Sequence, residues 1–320
     1  MMAGAGTRAV LLHLGVIAVL VLLQFVLPEY HRGVMSRVLV LAVFAMGYNL
    51  LFGYAGLLSL GHAMFFSAGL YGAGLALYYL DWGIVAGFAT GLACGLVLAL
   101  VVGLLALRTT GVAFMIVTLM FSQVFYLTTL YFTQWTRGEE GLVLGPEMRT
   151  VSSAGFTLEL WDPTVRYFAA LALFSVVLLA TMAIARAPFG RVLVAIRENE
   201  ERMRMLGYDV QRNKLSAMVL SGLFCAASGA AYALLFGYIG STFASIQYSI
   251  LPLLWVLLGG AATTLGPLLG TLFMFYVIDV TSGYTSAWLL IVGVALIVLV
   301  LFFPKGVLGT VRERWLPWLP

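Results

Sequence analysis

Six stretches of this chain, 38–80, 82–107, 109–136, 167–185, 215–278 and 280–304, contain no Asp, Glu, Lys or Arg. A helix needs roughly 20 residues to cross a hydrocarbon core about 30 Å thick, so each stretch has room for one or more crossings. Within such a core only helices and closed barrels satisfy their own backbone. Barrel strands alternate apolar and polar residues over about ten positions, whereas the runs here are continuous. The spanning elements are therefore helices. A mean hydropathy of +1.05 with 9% charged residues separates the chain from soluble domains, in which about a quarter of residues are charged.

Apolar periodicity and its interruptions place helices at about 9–27, 34–52, 62–80, 84–106, 111–132, 166–186, 215–236, 249–263, 267–281 and 286–303. The run from Ala9 to Leu27 follows Arg8 but is longer than a signal-peptide core and lacks a small-residue cleavage site, so it reads as a first membrane helix. About ten crossings put both termini on one side. Arg8, Lys305, Arg312 and Arg314 make that side cytoplasmic. Residues 107–111 and 187–214 then fall inside, and 133–165 and 237–248 outside. The outer loop 133–165 carries Glu139, Glu140, Glu147, Glu159 and Asp162 against Arg137 and Arg149, with Tyr131, Trp135 and Trp161 as interfacial aromatics.

Most of the remaining charge is gathered in one loop. Arg191 to Lys214 holds ten of the thirty charged side chains, six of them basic. Pro188 stops the preceding helix, Val192 through Leu206 reads as one short helix with Ala195, Ile196, Met203 and Leu206 on an apolar face, and Gly207 ends it. Such a helix suits docking to a soluble partner; its plainer reading is a solvated loop that fixes topology.

Two apolar regions are broken by glycine. GYAGLLSLGH runs from Gly53 to His62, and LLGGAATTLGPLLG from Leu257 to Gly270. Non-helical backbone at membrane depth is tolerated only inside protein or along a water-filled cavity. These breaks are therefore expected either to line a translocation path, with Asn49, Gly56, Ser59, His62, Gln123, Gly259 and Gly260 as its candidate residues, or to be tight turns between helices. For His62 a structural hydrogen bond is the plainer role. Gly87, Gly91 and Gly95 repeat on one helix face and mark close packing. Cys94 and Cys225 lie far apart in apolar runs and read as packed thiols.

Several chemistries have no residues to carry them. No G-x-x-x-x-G-K-[ST] loop is present. His13, His31 and His62 are dispersed, and neither a nucleophilic triad nor a metal-ligand cluster can be drawn. The basic residues sit where membrane topology needs them, which argues against nucleic acid as a partner. The interior lacks the ionisable residues that an ion-coupled transporter uses, since Asp279 and Asp81 lie near helix ends. An energy source on another polypeptide is expected.

Phe189 to Leu234 resembles the coupling region and following helix of LivM-type permeases of branched-chain amino acid ABC importers. Gly47 to Gly74, Arg108 to Val124, Leu257 to Phe273 and Phe302 to Gly309 resemble the same family, in its order. The resemblance implies an all-α, polytopic type II importer permease, a single domain over 1–320, in a bacterial-type inner membrane. It also implies a second LivH-like permease, two cytoplasmic ATPase subunits that hold ATP and Mg, and a periplasmic solute-binding protein. No cofactor is then bound by this chain. The family's ATPase contact maps to Arg197, Glu198, Asn199, Glu200, Glu201, Arg202, Leu206 and Gly207, and docking of the binding protein to Arg137, Glu139 and Glu140. The chain departs from the family in having Leu57 and Leu58 before LSLGH and RGEEGL at Arg137 to Leu142. Implied cargoes are branched-chain or other hydrophobic amino acids, with urea, short amides or aromatic acids as alternatives. A standalone facilitator for a small neutral solute, or a membrane scaffold, is the competing reading from the residues alone.

Overall fold

Pro28 separates the first two helices of a computed structural model that describes residues 2–153, 156–285, 287, 290, 293–294, 297, 301–302 and 305–314. Helix α1 spans Met2–Val26 and α2 Glu29–Asn49, the latter continued by one π-helical turn at Leu50–Tyr54. After an irregular stretch come α3 (His62–Leu80), α4 (Ile84–Ala106), α5 (Gly111–Tyr131) and the short α6 (Thr133–Thr136). Helix α7 covers Pro163–Arg186, with Asp162 capping its first amides through Oδ1 at 2.8 and 3.0 Å and Pro163 at the first turn. The charged loop forms α8 (Pro188–Glu198) and α9 (Glu200–Met205). Helices α10 (Val210–Phe236), α11 (Ile246–Gly259), α12 (Gly266–Tyr284) and α13 (Gly306–Arg314) complete the described chain.

Eight of these helices are long and apolar enough to cross a membrane. Helix α11, with 14 residues, is shorter than a full crossing, and the helix expected at 286–303 lies mostly outside the described residues. The expected count of ten is therefore approximate.

Burial divides the bundle into a centre and a rim. In α2, 94% of the most apolar window is buried, against 17% in α5, so α2, α3 and α10 form the core around which α1, α4, α5, α7 and α12 are arranged. The small-residue face of α4 packs as expected. A Cβ on Gly91 would sit 2.6 Å from the Gly69 carbonyl, and one on Gly95 would run into Ala226 of α10. Cys225 is packed, its thiol 3.7 Å from the Phe44 carbonyl, but Cys94, expected to be packed too, lies on an exposed face of α4.

The connections sort to two ends. At one end β1 (Leu142–Val143) pairs antiparallel with β4 (Tyr238–Ile239), Leu142 opposite Ile239, which ties the long 132–162 segment to the turn after α10. A second two-stranded sheet pairs β2 (Thr150–Ser153) antiparallel with β3 (Phe156–Glu159). At the other end Gln211 donates to the Leu107 carbonyl at 3.2 Å, so the 107–110 turn lies beside the charged loop.

Candidate functional site: the charged elbow and the two glycine breaks

The charged loop is an elbow of two helices. The single helix expected over 192–206 is interrupted at Asn199, whose extended backbone ends α8 and whose Oδ1 accepts from Arg202 N at 2.9 Å to cap α9. Asn can compete with the backbone for hydrogen bonds, which is why it sits here as a cap and not inside a continuous helix. Gly207, at φ +85°, closes α9. Its amide donates to Arg204 O at 3.0 Å and the Tyr208 amide to Met203 O at 3.1 Å, so the last carbonyls are satisfied.

Ile196 and Met203 of the expected apolar face pack with Val210 into a small core that holds the two arms together. Leu206 does not join them. It is 66% exposed, beside Met205 at 85% and Tyr208 at 46%, and together these make an apolar tip. Next to the tip is a groove of about 380 Å³ whose lining includes Val192, Ala195, Leu206 and Tyr208.

The charges of the elbow have two directions. Glu198, Glu201 and Arg202 are exposed, whereas Glu200 is held between Arg204 at 2.6 Å and Lys214 at 2.5 Å. Lys214 belongs to α10 and its side chain is only 9% exposed, so this pair fixes the elbow to the core. Arg197 also turns inward. Its Nη1 donates to the Gly53 carbonyl at 2.5 Å, its aliphatic stem lies over Gly56, and its Nη2 contacts Glu198 at 3.0 Å.

Gly53 leads from the elbow to the breaks. The π turn brings its Cα so close to Asn49 and to the Ala262 amide that a Cβ would lie 2.5 Å from that nitrogen, so glycine is required. Asn49 is fully buried. Its amide donates to Thr263 O at 2.8 Å and its Oδ1 accepts from Ala262 N at 2.9 Å. One side chain of the first break thus satisfies two backbone groups of the second. Gly259 and Gly260 are buried in that second break, Gly260 at φ +117° against the start of α13, and Arg312 of α13 donates to Ala262 O at 2.9 Å.

Ser59 and His62 are fully buried as well. The imidazole lies 3.0 Å from Ser59 Oγ and 2.9 Å from Ser221 Oγ, and Ser221 in turn donates to Gly47 O at 2.6 Å. Gln123 is apart from this network, half-buried on α5, and Gly56 is exposed beneath Arg197. Arg137, Glu139 and Glu140 are exposed at the opposite end, where Arg137 donates to Tyr78 Oη at 2.6 Å.

Sequence reasoning missed Lys214 as the partner of Glu200 and Thr263 as the partner of Asn49. A buried amide side chain one turn before Gly53 carried the signal for the second, but the partner lies more than 200 positions away. Among the described residues, no three His, Cys, Asp or Glu side chains converge as metal ligands would.

A multi-pass bundle with a capped, charged elbow bound to glycine-broken helix ends defines a membrane permease. Residues 31–301 match the family described as the branched-chain amino acid transport system permease component, and the chain belongs to that family. It is 26% identical over 291 residues to the LivM high-affinity branched-chain amino acid permease protein of Escherichia coli K12, covering 85% of this chain and 68% of that one. The LivM protein of Salmonella typhimurium LT2 is 26% identical over 329 residues, covering 97% and 77%. A probable LivM protein of Methanocaldococcus jannaschii is 36% identical over 86 residues, 27% of this chain and 25% of that one. No solved structure gives a significant match.

Proposed function

We propose that this chain is one of two permease subunits of an ATP-driven importer for branched-chain or other hydrophobic amino acids. The elbow of α8 and α9 receives a cytoplasmic ATPase subunit, the exposed segment around Arg137, Glu139 and Glu140 receives a solute-binding protein, and a LivH-like partner completes the path. The chain crosses the inner membrane with both termini in the cytoplasm, and ATP and Mg stay on the ATPase subunits.

One observation carries this reading. The elbow presents an apolar tip outward while Arg197 and Glu200 grip the core inward, so a push on the tip is delivered to Gly53 and through Asn49 to the second break. The remaining path candidates divide accordingly. Asn49, Ser59, His62, Gly259 and Gly260 shape the path by holding its backbone, while Gly56 and Gln123 are open to a partner or a solute.

The experiment is to purify the tagged chain from its native membrane in mild detergent, identify what accompanies it, and reconstitute the assembly in proteoliposomes. The expected result is co-purification of two ATPase polypeptides and a second permease, with leucine uptake that requires internal or external ATP on the ATPase side. Passive equilibration of solute by this chain alone would replace the importer with a facilitator.

A further inference from the structure

Three arginines from three separate segments meet at the end opposite the elbow. Arg37 of α2 places its Cζ 5.4 Å from the centroid of the Phe236 ring, and Arg166 of α7 places its own at 5.5 Å. The Arg149 guanidinium lies against the next residue, Gly237, where a Cβ would be 2.8 Å from its Cζ, and it donates to Leu235 O at 3.4 Å. Burial lowers the pKa of Arg149 and the charge of Arg166 lowers it further, with Glu147 opposing, so these two cations feel one another.

Among the described residues no carboxylate makes an ion pair with any of the three, although at the elbow end Arg197, Arg204, Arg212, Lys214 and Lys305 are each paired with an acid, Glu198, Glu200, Asp209 or Glu313. Of the nearest acids, Asp162 attracts Arg166 without forming an ion pair, and Glu147 does the same for Arg149. Asp162 has Oδ1 occupied by the Thr164 and Val165 amides, and Glu147 folds back over Gly145. Nε of Arg166 is buried and has no partner at all. The Phe236 ring face offsets part of the repulsion, but a ring is a weaker partner for a cation than a carboxylate.

Arg37 lies eight residues into α2, about 12 Å below its end at 1.5 Å per residue, and it is exposed. Its guanidinium reaches the level of the last residue of α10 and the first turn of α7, so the charge stands at the helix ends. Beside it Tyr232, Phe243 and Tyr248 pack edge to face as a partly exposed aromatic group, with ring centroids 5.0 and 5.1 Å apart. A cationic rim over an aromatic wall fits a ligand with a carboxylate at one end and an apolar group at the other.

We propose that Arg37, Arg149 and Arg166 around Phe236 form an oxyanion site at the outer mouth, which takes the carboxylate of the transported solute while Tyr232 and Phe243 receive its apolar side. Guanidinium groups suit this because their fork matches a carboxylate bidentately. The assignment of this end as the outer mouth rests on the importer reading.

The test is chemical protection of the full-length chain in phosphatidylcholine nanodiscs, without ATP or partner proteins, so it stays readable if the importer reading fails. Phenylglyoxal modifies accessible guanidiniums, and mass spectrometry reports the rate at each arginine. Isovalerate is expected to slow modification of Arg37 and Arg166 several-fold while leaving Arg202 unchanged, and its neutral isostere isovaleramide is expected to slow neither. Equal protection by the amide, or none by either, overturns the proposal. Protection by phosphatidylglycerol nanodiscs or inorganic phosphate, with isovalerate inactive, would make it a phosphate site and overturn the carboxylate assignment.

Discussion

The two ends of this bundle differ in how many of their cationic side chains are matched by an acid of the same chain. At the elbow end Arg204 and Lys214 share Glu200, Arg212 meets Asp209, Lys305 meets Glu313, and Arg197 and Arg312 each donate to a backbone carbonyl of a glycine break. At the other end Arg149 donates to the Leu235 carbonyl, but among the described residues Arg37 and Arg166 face an aromatic ring and make no ion pair. Charge that is matched within the chain builds structure, because removing one partner strands the other. Charge left unmatched costs stability and is available to something outside the chain.

The comparison can be broken by neutralising one charge at each end. Glu200→Ala leaves Lys214 unpaired in a mostly buried position, and a loss of about 3 kcal/mol is expected in thermal or denaturant unfolding of the detergent-solubilised protein. The double change Glu200→Ala with Lys214→Met should recover most of it; a double variant no better than the single would show that the pair is not what fixes the elbow. Asn49→Leu removes both bonds to the second break and strands a buried amide and a buried carbonyl, for about 2 kcal/mol on the same scale and a loss of uptake. Unchanged stability there would separate the two breaks from one another.

Gly207→Ala forces a β-carbon onto a backbone at φ +85° and should cost about 1 kcal/mol, read as a lower melting temperature with normal membrane insertion. Smallest of all is Arg166→Gln. It gives up a cation–π contact and relieves repulsion from Arg37, so the net change is expected to stay within about 1 kcal/mol of zero, in either direction. A loss at Arg166 as large as that at Glu200 would erase the distinction between the ends.

Much of this arrangement was legible in the sequence because hydrophobic thickness is a strong constraint. The helices expected at 9–27, 62–80, 84–106 and 111–132 correspond to α1, α3, α4 and α5, since a long apolar run has no other way to satisfy its backbone in lipid. Gly207 was legible as a helix stop for a local reason, its left-handed backbone. The break at Asn199 was not, because the competition between side chain and backbone there is decided by how α8 and α9 fold on each other through Ile196 and Met203. Asn49 could be seen to be polar at depth, yet whether it bonds solute or protein depends on residues 262 and 263. The arginine cluster was invisible, since positions 37, 149, 166 and 236 are brought together only by the packing of α2 and α7 beside the end of α10.

Helix α10 begins beside Lys214's ion pair and ends on Phe236, so one continuous rod of 27 residues, about 40 Å long, has a foot in each region. Its interior contains no proline and is packed by α2, α3 and α4. Such a rod has little room to absorb a displacement between its feet. If the elbow and the arginines both bind differently in two positions of α10, linkage makes the effect reciprocal: whatever factor an anion at one foot adds to the affinity of a partner at the other, that partner returns to the anion.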